Sequence, residues 1–149
     1  MSKKTLIKII CILVTSLGTA QSQSIILDSV SGFYLTEKHE GFTGENYETL
    51  LLQEEPAISV TEINAVSQSF DSFGKPFVLL EFNAIGTKKL EKITTENKGE
   101  PLVIYFGKKI VLAPFIMSPI TEGKMIINGN FTIQETDGMV NWLKSRIEK

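Results

Sequence analysis

The residue best suited to catalysis or metal binding in this sequence is His39, the sole histidine. Glu37 and Glu40 lie on either side of it, and an imidazole beside carboxylates can bind a metal ion or transfer a proton. A zinc site here would rest on one nitrogen and on oxygens alone, because the one cysteine, Cys11, lies in a segment that we expect to be removed. We therefore interpret His39 as an exposed loop residue and predict no metal and no cofactor.

Nucleophilic and phosphate-binding chemistry has no better support. A catalytic serine needs a base within hydrogen-bond reach, and His39 is the one imidazole available. The pattern Gly-x-Ser-x-Gly is absent, and Gly41 and Gly44 lack the strand-to-helix context and the lysine of a phosphate loop. The adjacent Glu54 and Glu55 would point to opposite faces of an extended chain. The residue types thus predict a non-catalytic protein, with no catalytic residue.

The first 20 residues have the order of a secretory signal peptide. Lysines at positions 3, 4 and 8 precede a largely apolar run at 9–17, and small residues follow at 18–20. The apolar run spans about a dozen residues, whereas a membrane anchor needs ~20. We expect cleavage near Ala20, export to the periplasm or the extracellular space, and no stable membrane insertion afterwards.

Removal of this signal peptide would leave 129 residues without cysteine. The remaining 12 basic and 17 acidic residues give a net charge of about −5, which argues against a general attraction to nucleic acid or anionic lipid. A hydrophobic content of 42% and a charged content of 21% are ordinary for a globular domain, and this length can bury a core without disulfides. We assign residues 1–20 to the signal peptide, 21–55 to N-terminal strands and loops of the same domain, and 56–149 to its main part.

Hydrophobic periodicity from residue 65 onward predicts the secondary structure. A strand opens at Pro76 with alternate residues buried, and Gly86, Leu90 and Ile93 share one face of a helix that Gly99 is placed to end. The order is strand, strand, helix, strand, strand, strand, helix. This order predicts an α+β domain in which two helices pack on one face of a mainly antiparallel sheet.

Two local signals mark the second half of this pattern. Gly107-Lys108 is placed to make a tight turn between two apolar strands. Thr132 and Glu135 have the spacing of a capping box at the start of the last helix. We expect that helix to bury its apolar stripe, which consists of Ile133, Val140, Leu143 and Ile147.

Apolar residues outside the predicted core are the better functional candidates. Phe115, Ile116 and Met117 follow the strand-ending Pro114, and Trp142 lies on the shoulder of the last helix. We take these as candidate protein contacts, although scattered exposed apolar residues are common and Trp142 could edge the core.

An ordered series of turn, cap and core residues covers about two thirds of the chain and resembles one family, the head subdomain of the first periplasmic domain of SecD and SecDF. The residues that carry the resemblance are Glu55-Pro56-Ala57-Ile58, Thr61-Glu62-Ile63, Ala65, Phe82-Asn83, Gly86, Ile93-Thr94, Asn97-Lys98-Gly99, Leu102-Val103-Ile104, Ala113-Pro114, Ser118-Pro119-Ile120, Glu122-Gly123 and Ile127-Asn128-Gly129-Asn130-Phe131-Thr132.

In the family that this series resembles, the head stands on a periplasmic base above a transmembrane bundle, and proton flow through the bundle drives movement. The resemblance therefore implies a domain that contacts an emerging preprotein. The resemblance covers the head alone, so the intramembrane charged residues of that bundle have no counterpart here, and we expect no proton-coupled translocation by this chain by itself. Gly107-Lys108 stands where the family's Asp-Gly turn would be, which puts in doubt any role tied to that carboxylate.

Two classes of function follow from the sequence. The first is an exported, non-catalytic module that binds a protein or an extended polypeptide through a sheet edge or an apolar patch. The second is a small envelope hydrolase whose site is assembled from scattered carboxylates. A strand edge beside residues 115–117 would favour the first, and a pocket lined by two close carboxylates would favour the second.

Overall fold

The computed structural model of the protein describes residues 30–147, so the predicted signal peptide lies outside the described residues. In chain order the elements are β1 (Gly32–Tyr34), β2 (Thr36–Lys38), β3 (Leu51–Leu52), β4 (Ile58–Ser59), β5 (Ile63–Phe70), β6 (Pro76–Phe82), α1 (Ala84–Glu96), β7 (Val103–Phe106), β8 (Lys109–Leu112), β9 (Lys124–Ile127) and α2 (Ile133–Ile147), with single 3-10 turns at Tyr47–Thr49 and Val60–Glu62.

The strands are antiparallel to every neighbour and divide among three sheets. One sheet has the order β4-β1-β7-β8, a second has the order β5-β6-β9, and β2 pairs with β3. The α+β class and the order of elements from residue 65 are confirmed. The division into separate sheets was not predicted, because β1 from the N-terminal third inserts between β4 and β7.

Two hairpins, β5–β6 and β7–β8, form where turn chemistry allows them. At the β5–β6 turn, Asp71 Oδ1 accepts hydrogen bonds from the backbone N–H of Phe73 and of Lys75, at 2.8 and 2.9 Å. In the β7–β8 turn, Gly107 and Lys108 have φ values of 58° and 67°. Two consecutive positive φ angles are what a two-residue type I′ hairpin turn requires.

Helix α1 begins at a side-chain cap and ends before Gly99, the residue that was predicted to end it. Asn83 Oδ1 accepts from the backbone N–H of Ile85 and of Gly86, which satisfies two of the free donors of the first turn. The helix ends at Glu96, and the Asn97 side chain donates back to the Ile93 carbonyl. Gly99 lies beyond that cap.

Helix α2 begins with the predicted capping box. The Thr132 N–H donates to Glu135 Oε2 at 2.8 Å, and the Glu135 N–H donates to Thr132 Oγ1 at 3.2 Å. Val140 and Leu143 are buried as expected, but Ile133 is 53% exposed. In that first turn the contact with β5 is polar, because Gln68 Nε2 donates to the Ile133 carbonyl and to the hydroxyl of the buried Thr136.

One large core lies between the four-stranded sheet, the β5-β6-β9 sheet and both helices. Phe33 and Ile104 enter it from one face of the four-stranded sheet. On the opposite face Tyr34 and Tyr105 pack under residues of the β2–β3 region, in a smaller cluster that includes Phe42. All four residues of β7 are buried for this reason, and the N-terminal strands are part of the same packed unit.

Candidate functional site

The segment of residues 115–117 extends the β7–β8 hairpin. The Leu102 N–H donates to the Pro114 carbonyl, and the Ile116 N–H donates to the Glu100 carbonyl, both at 2.9 Å. Side chains alternate along such an extended pair. Met117 is accordingly 75% exposed and Phe115 39% exposed, whereas Ile116 is 6% exposed.

Ile116 is therefore a core residue, and the expectation that it lies on a contact surface is corrected. Pro114 was expected to end the strand, but the pairing continues past it, keeps the alternation of side chains and turns Ile116 into the main core. Phe115 instead packs its ring against Phe42, with the ring centroids 5.4 Å apart. Phe115 and Met117 remain candidate contacts.

Strand β9 forms an edge of its sheet next to this segment. The Phe82 N–H donates to the Gly123 carbonyl at 2.8 Å, and the register continues from Glu81 opposite Lys124. Hydrogen-bonded and non-hydrogen-bonded pairs alternate in an antiparallel ladder. The main-chain groups of Lys124 and Ile126 consequently point away from β6, and β6 is the one neighbour of β9 among the strands in residues 30–147.

A cleft of about 390 Å³ lies between β9 and the 115–118 segment, and we call it the β9 cleft. Its walls are mainly apolar: Met117, Ile120 and Ile126 contribute, and Ile126 is 54% exposed. Thr94, fully buried on α1, accepts a hydrogen bond from the Ile120 N–H at 2.9 Å. This bond fixes the chain between Met117 and β9. The sequence did not predict it, because Thr94 and Ile120 lie 26 positions apart.

Trp142 lies at a second groove, of about 370 Å³, between α2 and the β7–β8 hairpin. Its ring stacks on Phe106 with centroids 5.8 Å apart, and the Arg146 guanidinium lies 4.1 Å above the indole. Trp142 is half-buried against the main core. We call this the Trp142 groove.

The polar candidates are dispersed. His39 Nδ1 lies 3.1 Å from Glu100 Oε2, and both side chains are more than a third exposed. Among residues 30–147 no cluster of three or more histidine, cysteine or carboxylate side chains could hold a metal ion. Glu54 and Glu55 are exposed. The β9 cleft has no carboxylate in its lining, and the Trp142 groove has one, Glu135.

Two pKa values are displaced by local structure. Hydrogen bonds from the Thr132 backbone and hydroxyl lower the pKa of the exposed Glu135 carboxyl. Burial raises the pKa of Tyr34, to which the neighbouring Tyr105 adds, and the Tyr34 hydroxyl donates to the Val30 carbonyl. Both displacements have structural causes and neither group lines the β9 cleft.

A family profile for the P1 head subdomain of SecDF matches residues 34–146. The chain belongs to the SecDF P1 head subdomain family. The head is 35% identical over 101 residues to the protein translocase subunit SecD of Rickettsia typhi, which covers 68% of this chain and 19% of that protein. It is 40% identical over 75 residues to the SecD subunit of Sebaldella termitidis, covering 50% of this chain and 18% of that protein.

Solved structures show the same fold. A structure described as "Structure and function of a membrane component SecDF that enhances protein export" matches with a TM-score of 0.66 and 26% identity, over 80% of this chain and 64% of that one. The SecDF structure in its super-membrane-facing form matches with a TM-score of 0.64 and 23% identity, over 80% of this chain and 19% of that one.

The head spans about a fifth of the length of the curated relatives it matches. Within residues 30–147, neither helix is long and apolar enough to cross a membrane. The family membership confirms the resemblance on which the sequence interpretation depended. These curated relatives carry the name protein translocase subunit SecD.

Proposed function

We propose that this head is an exported, non-catalytic protein-binding module that takes up an extended segment of another polypeptide at the β9 cleft. The observation that carries the proposal is the outer edge of β9, with which no other strand in residues 30–147 pairs, beside the exposed side chains of Phe115 and Met117. That juxtaposition is what the protein-binding interpretation requires.

Strand addition explains how such a surface would bind without sequence-specific chemistry. An extended peptide beside β9 would hydrogen-bond to the outward main-chain groups of Lys124 and Ile126. Every second side chain of the peptide would then face the apolar cleft walls, where Met117 and Ile120 lie. Main-chain bonding is common to all peptides, so this mode suits a partner that varies in sequence.

The relatives support a polypeptide as the partner. They carry the name protein translocase subunit, and one solved relative is described as enhancing protein export. Because the head corresponds to a small part of those proteins, the proposal transfers polypeptide contact alone and not the activity of the whole relatives. We place this contact in the periplasm or outside the cell, in keeping with the predicted signal peptide.

A direct test measures binding of the head to a reduced and alkylated polypeptide that cannot refold, with the native form of the same polypeptide as a negative control. Met117→Asp should weaken binding at least about fivefold, because the charge must lose its hydration on entering the contact. Phe73→Asp is the matched control: Phe73 is 88% exposed at the tip of the β5–β6 hairpin, outside the cleft, and its variant should bind normally.

A second variant tests the role of the main chain. Ile126→Pro removes an outward N–H from β9, and proline is tolerated at an edge strand. It should reduce binding more than Ile126→Thr, which keeps the N–H. Equal binding by both variants would show that the strand edge is not used. In a separate test, loss of binding by a folded His39→Ala variant would point instead to a histidine-dependent activity.

The hydrolase alternative gains no support from the clefts described above. The β9 cleft has no carboxylate, and the Trp142 groove has Glu135 alone, whose side chain is bonded to the cap of α2. Neither of these two clefts, both built from residues in the range 94–142, brings two carboxylates together.

A further inference from the structure

The segment of residues 115–117 presents a strand edge of its own at the β9 cleft. The Ile116 N–H donates to a carbonyl of residues 99–100, and the Ile116 carbonyl accepts an N–H from the same two residues, at 2.9 and 2.8 Å. Bonded and non-bonded residues alternate in an antiparallel pair, so the main-chain groups of Phe115 and Met117 point the other way. The segment continues β8, which is the outermost strand of its sheet in the described part of the chain.

Two strand edges from different sheets therefore border one cleft. The outward main-chain groups of Lys124 and Ile126 belong to one edge, those of Phe115 and Met117 belong to the other, and all four residues line the cleft. A strand that lies between two edges bonds to one of them with alternate residues and to the other with the residues in between. A polypeptide suits such a position, because each of its non-proline residues carries both a donor and an acceptor.

Exposed apolar side chains flank the cleft on its outer face. Phe115 and Met117 stand on one edge and Ile126 on the other, and all three are exposed. Their chain neighbours Ile116 and Met125 point instead into the main core. Side chains on the same face of adjacent strands contact one another. A strand between the two edges would therefore place every second side chain against these three apolar residues.

The floor of the cleft is apolar as well. Leu102 and Ile104 line it and belong to the main core. Successive side chains of a strand point to opposite faces, so the side chains that do not face outward would lie over this floor. Strands that are covered on both faces consist of continuous apolar runs, whereas strands with one wet face alternate. The cleft therefore favours a continuous apolar run.

We propose that an extended polypeptide segment inserts between β9 and the 115–117 segment, hydrogen-bonds to both edges and joins the four-stranded sheet to the β5-β6-β9 sheet. This inference rests on the proposed function and names the segment that the cleft takes, a continuous apolar run without proline. Proline has no N–H, so at any position in the run it would lose a bond to one edge or the other. Pairing with β9 alone would tolerate proline at every second position.

N-methylation of a peptide probe tests whether both edges are used. The probe is a soluble peptide in which three Val-Thr pairs stand between lysines, and the fluorescence anisotropy of a dye on its N-terminus measures its binding to the head. In an extended peptide the valine N–H groups point to one edge and the threonine N–H groups to the other. N-methylation of the three valines, and in another peptide of the three threonines, should each weaken binding at least about tenfold, because each removes three main-chain bonds.

The outcomes separate this inference from the proposed function. If one of the two methylated peptides binds as tightly as the unmethylated probe, a single edge is used, and the inference is overturned while polypeptide binding stands. If the unmethylated probe does not bind, polypeptide contact at the cleft fails and the inference fails with it. A head that sediments as a dimer and takes up no probe would show that a second copy occupies the cleft, which also overturns the inference.

The apolar requirement has its own measurement. Replacing the three threonines of the probe with valines should tighten binding at least about threefold, since both faces of the bound strand would then meet apolar walls. Unchanged affinity would mean that one face of the bound segment stays in water, which contradicts insertion between the edges.

Variants of the head test the second edge directly. Met117→Pro removes an outward N–H from the 115–117 segment, and Met117→Thr is the matched control that keeps it. Met117→Pro should bind the unmethylated probe at least about threefold more weakly than Met117→Thr, as expected for a lost main-chain bond. Similar midpoints of thermal unfolding verify that both variants are folded. Equal binding by two folded variants would overturn the use of this edge.

Discussion

Adjacent residues in the 115–117 segment have opposite environments, and this decides which of them can serve a partner. Ile116 contributes to the main core, while Met117 stands at the rim of the β9 cleft. A test of function must therefore use the exposed neighbour, because a charge at the buried one would act through folding.

Ile116→Asp should destabilise the head by more than about 3 kcal/mol, since it places an unpaired charge in the core. Met117→Asp should change the free energy of unfolding by less than about 0.5 kcal/mol, as expected for an exposed site. Urea denaturation followed by circular dichroism measures both. Similar losses from the two variants would contradict the alternation of side chains in this segment.

The capping box of α2 predicts a dependence of stability on pH. Thr132→Ala should cost about 1 kcal/mol, the usual value for a lost N-cap. The folded-state pKa of Glu135 lies below its ordinary value of 4.5, so its contribution is present above pH 4.5 and is lost as the pH falls through the folded-state pKa.

Glu135→Gln should accordingly destabilise the head at pH 7. The difference in free energy of unfolding between this variant and the wild type, measured by urea denaturation, should become smaller in acid. A difference for Glu135→Gln that is constant with pH would argue against the hydrogen bonds from Thr132.

At the scale of elements, Gly123 controls how β9 meets α1. Its φ is +67°, its carbonyl accepts from the Phe82 N–H, and a Cβ there would overlap the Thr87 hydroxyl. A residue with a side chain would meet both a backbone cost and a steric conflict at this junction.

Gly123→Ala should therefore lower the free energy of unfolding more than Gly41→Ala does. Gly41 has a similar φ of +77°, and a Cβ there would meet no atom of the described residues within 4 Å. We expect about 1 kcal/mol at Gly41 from the backbone alone, and a further 1 to 3 kcal/mol, roughly, at Gly123 from the steric conflict. Thermal unfolding of both variants gives the comparison. Equal losses would mean that Thr87 moves aside freely.

At the scale of the whole molecule, the four-stranded sheet connects the N-terminal third to the rest. Its two faces pack into different clusters, and β1 pairs with both β4 and β7. Removing the N-terminal strands would leave one edge of β7 unpaired and would take away the neighbour of β4 in that sheet. Folding should therefore be cooperative across residues 30–147.

We expect one unfolding transition, monitored together by circular dichroism and by Trp142 fluorescence, with a midpoint that a chelator leaves unchanged. The core is large enough to fold without a metal ion. A substantial fall in the midpoint on adding chelator would reveal a metal site, and separate transitions from the two probes would contradict a single cooperative unit.

Export is a further prediction about the whole chain. Cleavage near Ala20 should give a protein that begins at or near Gln21, because small residues precede that point after an apolar run. The intact mass of the protein from the envelope fraction measures this. Recovery with residues 1–20 still attached would contradict cleavage.

Local signals in the sequence determined much of this head. The order of elements from residue 65, the Thr132–Glu135 capping box and the Gly107-Lys108 turn were all predicted, because each depends on residues within a few positions of one another. The series of such signals also indicated the family. The apolar spacing of α2 also predicted the burial of Val140 and Leu143.

The tertiary structure alone decided which surfaces stay open. Partners distant in the chain decide the placement of β1 between β4 and β7, the burial of Ile116 and the exposure of Ile133. They also decide that, in the part of the chain that the structure describes, no strand pairs with the outer edge of β9. The sequence by itself thus determined the elements and the family, whereas long-range pairing decided the site. The physical reason is that a cap or a turn is satisfied by its neighbours, but an edge exists only when no other strand pairs with it.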